Sequence, residues 1–144
     1  MGKSTLLGKI ARAGLTWMGK QKLAKIDGQL NVAGLHQPVE VLRDRYGIAH
    51  IYAQDDHDLF FAQGLVHAQE RFWQMELNRR TANGTLSEWF GPLALDTDRA
   101  ARTFGFARVG RADFPRFCPE LQEALRAYTE GVNAYLSAYP NKLP

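Results

Sequence analysis

Apolar positions fall along this chain in three patterns. After Asp55, the residues Leu59, Phe60, Ala62, Val66, Phe72, Trp73, Met75 and Leu77 place apolar side chains on more than one side of a helical path. That breadth predicts a long helix buried between layers. Asp55 suits its N-cap and Asp58 its first turn. Gly64 lies inside it, where glycine costs about 1 kcal/mol against alanine, so a close approach of another backbone is expected there. Asn83-Gly84 ends the helix. In the last pattern, Leu121, Leu125, Tyr128, Val132, Tyr135 and Tyr139 follow alternating spacings of four and three. This predicts a helix opened by Cys118-Pro119, with the aromatic stripe in the core.

Residues 27–53 carry the remaining pattern. Leu30, Val32 and Leu35 lie between Gly28 and Gly34 or just past it, Val39 and Val41 follow Pro38, and Ile48, Ile51 and Tyr52 follow Gly47. Short β-type runs punctuated by turn residues predict a small antiparallel unit. Asp44-Arg45-Tyr46-Gly47 reads as its hairpin turn, with Gly47 free to take positive φ. Thr85-Leu86-Ser87-Glu88 has capping-box spacing, so a short helix is expected to start there and stop at Gly91-Pro92. Leu95 to Phe106 reads as a further helix entered at Asp96 or Thr97. Arg99 and Arg102 share its polar face, and Gly105 and Gly110 mark its exit. The fold class is therefore α+β: mainly helical, with a few short antiparallel strands near residues 28–53.

Charge divides the chain. Six basic residues precede the first acid, Asp27, so the net charge of +3 combines a basic arm with an acidic body. Residues 1–26 read as a basic amphipathic arm, and residues 27–144 as the folded region. The body offers no basic face for nucleic acid. The arm suits peripheral contact with an anionic membrane or a partner. Lys9 and Arg12 interrupt the apolar run that a cleaved leader needs, and no run approaches the length of a spanning helix. Gly2-Lys3-Ser4-Thr5 resembles the tail of a phosphate loop but lacks its strand and first glycine. The lone Cys118 excludes an internal disulfide and a cysteine-based zinc site.

Candidate chemistry concentrates on the first long helix. His67 and Arg71 share a face, as do Glu76 and Arg80. Gln69, Glu70 and Gln74 are polar groups in a helix that reads as buried, and they need partners. They suit either an active-site wall or a network holding helix to sheet, and the network is the reading adopted. His67 and Glu70 share a face at three-residue spacing. A two-metal bundle needs a second such pair, however, and His50 and His57 lack ligand partners at useful spacing. No metal or cofactor ligand is assigned.

Several stretches, in order, resemble the penicillin acylase family of N-terminal-nucleophile hydrolases. Val39-Glu40-Val41-Leu42-Arg43-Asp44-Arg45-Tyr46-Gly47-Ile48-Ala49-His50-Ile51 is similar to the family's opening strand, Arg-Asp, glycine turn and His-Ile. Ala68-Gln69-Glu70-Arg71-Phe72-Trp73-Gln74-Met75-Glu76 is similar to its Ala-Gln-Asp-Arg helix, with Arg79-Arg80, Gly84, Glu88 and Gly91 continuing the pattern. Tyr128-Thr129-Glu130-Gly131-Val132-Asn133-Ala134-Tyr135 resembles a later helix. Glu70 stands where the family usually has aspartate, and Ala49 where it often has proline.

The resemblance implies the N-terminal part of the α chain of a four-layer αββα fold. A precursor would cut itself into α and β chains. The β chain's new N-terminal serine would attack an amide carbonyl, with its own amine as base and an oxyanion hole on the β chain. On this reading the nucleophile lies outside these residues: Ser4, Ser87 and Ser137 are not it. The partner is the polypeptide's own β chain, and the substrate a small N-acyl amide such as a β-lactam antibiotic or an acyl-homoserine lactone. Calcium, held by some members, would have its α-chain ligand beyond Pro144. The resemblance points to the periplasm or cell envelope. The competing expectation is a complete, non-catalytic helical module docked through its basic arm. An incomplete segment should leave apolar area open at Phe60, Phe72 or Trp89.

Overall fold

A computed structural model of the chain describes residues 27–140, so the basic arm and its boundary lie outside the described residues. Two strands, β1 (Glu40–Arg43) and β2 (Ala49–Tyr52), form an antiparallel hairpin with Val41 opposite Ile51 and Leu42 opposite His50. Its turn follows the sequence expectation. Asp44 accepts hydrogen bonds from the Tyr46 and Ile48 N–H groups at 2.8 and 3.0 Å, and Gly47 takes φ +80°.

The run Leu30–Leu35 does not form the third strand that its composition suggested. It crosses α1 (Asp56–Asn83) as irregular chain, and Leu30, Val32 and Leu35 pack on Phe61, Leu65 and Tyr135. Two contacts with α1 hold this stretch in its irregular course. Gly34 sits at φ +112° with the Phe61 ring so close that an added Cβ would stand 2.7 Å from it. The His36 and Gln37 N–H groups, which a ladder would use, are taken by Asp58.

Helix α1 begins where Asp55 caps it, accepting the Asp58 N–H at 2.8 Å, and ends at Gly84 with φ +65°. It is not one straight element. Arg71 leaves helical geometry (φ −134°, ψ 17°) and kinks it. Burial stops before the kink, at Phe61, Ala62, Gly64, Leu65, Val66 and Ala68. Beyond it Trp73 is about half exposed. The breadth of the apolar pattern therefore reflects two halves with different surroundings.

The short α2 (Ser87–Phe90) and a 3-10 turn lead into α3 (Leu95–Phe104). The capping box is not made. Leu86 and Ser87 donate their N–H groups to the Asp98 carboxylate, each at 2.8 Å, and Glu88 turns instead to Arg80. A carboxylate is a stronger acceptor than the Thr85 hydroxyl. Helix α3 ends at Gly105 in the left-handed conformation, but Gly110 ends nothing. A separate helix, α4 (Phe106–Asp113), runs through it.

Pro119 opens α5 (Pro119–Ala138) at its first turn, and α5 lies against the first half of α1. At the crossing the backbones nearly touch. A Cβ on Gly64 would stand 2.0 Å from the Tyr128 carbonyl oxygen, and one on Gly131 1.9 Å from that of Phe61. This is the close approach expected at Gly64. It also shifts the buried seam of α5 onto Ala127, Gly131 and Tyr135, while Leu121 and Leu125 are about 40% exposed. Small side chains are selected where two helix axes come this near, so of the large stripe Tyr135 enters the seam, Val132 and Tyr139 pack beside it, and Leu121 and Leu125 lie off it. Among the described residues no helix is long and apolar enough to cross a membrane.

Candidate functional site

Three polar junctions hold these elements together. The first joins hairpin to helix. Arg43, at the end of β1, donates to Glu70 Oε1 from Nε (3.0 Å) and Nη2 (2.6 Å), and to Gln69 Oε1 at 2.9 Å. This is the helix-to-sheet network anticipated for Gln69 and Glu70, although Glu70 and Gln74 are exposed and not buried as expected. The second lies beyond the kink. Glu76 accepts from Arg79 and Arg80, Arg80 reaches Glu88, and its guanidinium lies 4.2 Å from the centre of the Trp89 ring, which stacks on Trp73. In the third, the His67 ring and the Tyr128 hydroxyl are hydrogen-bonded at 2.9 Å, linking α1 to α5.

The densest cluster of titratable groups lies at the start of α1. Asp58 is fully buried and points back along the chain, where it accepts the N–H groups of His36 (2.9 Å) and Gln37 (2.8 Å). His57 Nδ1 stands 3.1 Å from Asp58 Oδ1, and its Nε2 stands 3.5 Å from Glu130 of α5. His36 Nδ1 stands 3.1 Å from Asp55 Oδ2, and the two imidazoles stack with centroids 4.2 Å apart. Two histidine–carboxylate pairs therefore sit face to face.

Charge follows this geometry. Burial pushes the Asp58 carboxyl up, but the two backbone N–H groups and His57 outweigh it, and its pKa falls below the usual carboxylate range. The hydrogen bond to Asp58 raises the pKa of His57 above its ordinary value. Burial opposes that rise and Glu130 adds to it. His57 also borders a groove of about 450 Å³ lined by Pro119, Gln122, Arg126 and Glu130 among others.

Sequence reasoning found no partner for His57 at useful spacing, and the fold brings Asp58, Glu130 and His36 beside it. His36 is 19 residues before Asp55, and only the irregular course of residues 30–37 over α1 brings it to the helix end. The signal legible in the sequence was Asp55-Asp56-His57-Asp58 itself. The serines are scattered. Ser87 is engaged with Asp98, Ser137 is exposed on α5, and Ser4 lies outside the described residues.

Comparison with known proteins identifies the frame that these junctions belong to. The family model for penicillin amidase matches residues 38–144. The chain belongs to the penicillin amidase family. It is 45% identical over 116 residues to penicillin acylase 2 proenzyme from Pseudomonas sp., a match covering 81% of this chain and 15% of that protein. It is 38% identical over 122 residues to the acyl-homoserine lactone acylase QuiP of Pseudomonas aeruginosa, covering 85% of this chain and 14% of that one. Its fold matches a thermostable penicillin G acylase from Alcaligenes faecalis with TM-score 0.67 at 30% identity, over 76% of this chain and 60% of that chain. The chain thus spans about one-seventh of the curated acylases it matches.

The penicillin amidase stretches quoted above are the stretches that meet. The hairpin carries Arg43, the Ala-Gln-Glu-Arg stretch carries Gln69 and Glu70, and the later helix carries Gly131 and Tyr128. The family pattern in this region coincides with contacts between the hairpin and the helices.

Proposed function

We propose that this chain is the N-terminal shell segment of a penicillin acylase-like amidohydrolase. The amide bond of an N-acyl compound is hydrolysed by the N-terminal serine of a β chain that lies outside these residues. The substrates proposed are β-lactam antibiotics or acyl-homoserine lactones, the compounds named in its relatives. The observation that carries this reading is the engagement of the family's polar residues by one another: Arg43 is spent on Gln69 and Glu70, and Arg80 on Glu76 and Glu88. Side chains held in such pairs position elements and do not need a substrate to satisfy them.

Uncovered apolar surface supports the same reading. Leu93 is 94% exposed, Phe104 68% and Phe106 55%, all on the α2–α4 side. Phe60 and Phe72, where openness was expected, are half-buried, while Trp89 is partly open. Exposed apolar groups on this scale mark a surface that another part of a protein covers. In the proposed enzyme, the remainder of the polypeptide covers it.

The test measures hydrolysis of a penicillin and of an acyl-homoserine lactone. One sample is residues 1–144 alone. The other is the same chain replacing the matching stretch of the Pseudomonas penicillin acylase 2 proenzyme. Activity is expected in the chimera and none in the chain alone. Turnover by the chain alone would overturn the proposal.

A further inference from the structure

The cluster at the start of α1 has a use that the shell role does not require. We propose that His36, Asp55, His57 and Asp58 bind a divalent transition-metal ion of the zinc type. The ligand atoms would be His36 Nδ1, Asp55 Oδ2, His57 Nδ1 and Asp58 Oδ1.

The first argument is distance. Zinc bonded to nitrogen and oxygen at about 2.0–2.2 Å in a tetrahedron holds its ligand atoms about 3.3 Å apart. Both histidine–carboxylate pairs already stand at 3.1 Å, and one ligand atom from each of the four residues lies within 4.8 Å of the others. The wider spans close by rotation of His36 and Asp55, whose side chains are 59% and 41% exposed. His57 and Asp58 are the packed half of the site, with side-chain exposures of 18% and 0%.

The second argument is the surrounding shell. Metal ligands are oriented by outer partners, and a ligating imidazole usually donates its other N–H to a carboxylate or carbonyl. Here His57 turns Nε2 to Glu130 while Nδ1 faces the cluster. Backbone fixes both carboxylates: Asp55 Oδ1 takes the Asp58 N–H, Asp58 Oδ2 takes the Gln37 N–H, and Asp58 Oδ1 takes the His36 N–H and keeps a further lone pair. Asp55 Oδ2 and Asp58 Oδ1 each face a histidine ring. Donor chemistry agrees, because two imidazoles with two carboxylates suit zinc more than calcium or magnesium, which prefer oxygen alone.

The third argument is charge. The positive end of the α1 dipole opposes a cation, but Asp55 caps it and Asp56 and Asp58 fill its first turn. With neutral imidazoles the cluster is anionic. Metal takes the place of the Nδ1 proton of each pair, which moves to Nε2 in a neutral ring or leaves to solvent from an imidazolium, so each pair exchanges a hydrogen bond for two coordinate bonds.

The experiment titrates Zn²⁺ into the 144-residue chain carrying Cys118→Ser, which removes thiol binding. Cobalt substitution follows, read by visible absorption. One zinc ion per chain and a cobalt spectrum of tetrahedral intensity are expected. His36→Ala, at an exposed side chain, should weaken binding at least about tenfold, and His57→Ala should abolish it. His50→Ala and His67→Ala should leave it unchanged. Circular dichroism of His36→Ala verifies that the fold is kept. Absence of stoichiometric zinc, or zinc binding indifferent to His36→Ala and His57→Ala, would overturn the proposal.

Discussion

Gly131→Ala is expected to be the most damaging single-methyl change in the described fold. The added carbon would stand 1.9 Å from the Phe61 carbonyl oxygen, 2.7 Å from its carbon and 3.0 Å from the Leu65 nitrogen. These are backbone atoms of α1 and cannot swing aside. Alanine favours the helical state over glycine by about 1 kcal/mol, but overpacking against rigid backbone costs roughly 3 kcal/mol or more. The clash therefore wins, and α5 must move off α1 and uncover Phe61, Leu65 and Tyr135. Gly110→Ala makes the opposite case. It is helical and has nothing within 4 Å of its added carbon, so the propensity gain stands alone and stability should rise by up to about 1 kcal/mol. Denaturant midpoints of the two variants check both signs. A Gly131→Ala variant as stable as the parent would show that the helices do not cross at this distance.

Asp58→Ala is expected to have the next largest effect. The carboxylate is fully buried and holds the N–H groups of His36 and Gln37 together with the His57 ring. Its removal strands two backbone donors at once. Hydrogen bonds to a charged group, and the exposure of their partners, suggest a loss of about 2–4 kcal/mol. Amide hydrogen exchange at residues 36 and 37 should accelerate, since they lose their acceptor.

The same cluster sets a pH window. The lowered pKa of Asp58 contributes stability above its ordinary 3.8, which is lost as pH falls through the depressed value. The raised pKa of His57 contributes stability below its ordinary 6.5, which is lost as pH rises through the elevated value. Asp58, Glu130, Asp55 and His36 surround His57, and Glu123 and Arg126 line the groove beside it. Measured in chelator, the parent should be most stable between these limits. Asp58→Ala should flatten both edges.

Local sequence signals reported local structure well. The Asp44–Gly47 turn, the Asp55 cap, the Gly84 stop and the Pro119 start each depend on a residue and its immediate neighbours. They form as expected. What failed depended on distant residues. Thr85 lost its capping role to Asp98, 13 positions along the sequence. Leu30–Leu35 is held in an irregular course by contacts with Phe61 and Asp58. The α5 stripe drew attention to its large residues, whereas contact between two backbones chose Gly131, one residue before Val132 of that stripe. The family was legible because its motif residues form the junctions between elements. The histidine cluster was not, because His36 reaches α1 only through a loop without periodic pattern.

The central claim is that this segment supports the acylase and does not perform its chemistry. Arg43→Ala in the active chimera tests it most directly, with Tm and kcat measured on the same sample. Loss of the bonds to Glu70 and Gln69 should lower Tm while kcat per folded molecule changes by less than about twofold. A fall in kcat of about a hundredfold or more at unchanged Tm, the size expected for a lost acid–base or positioning group, would contradict it.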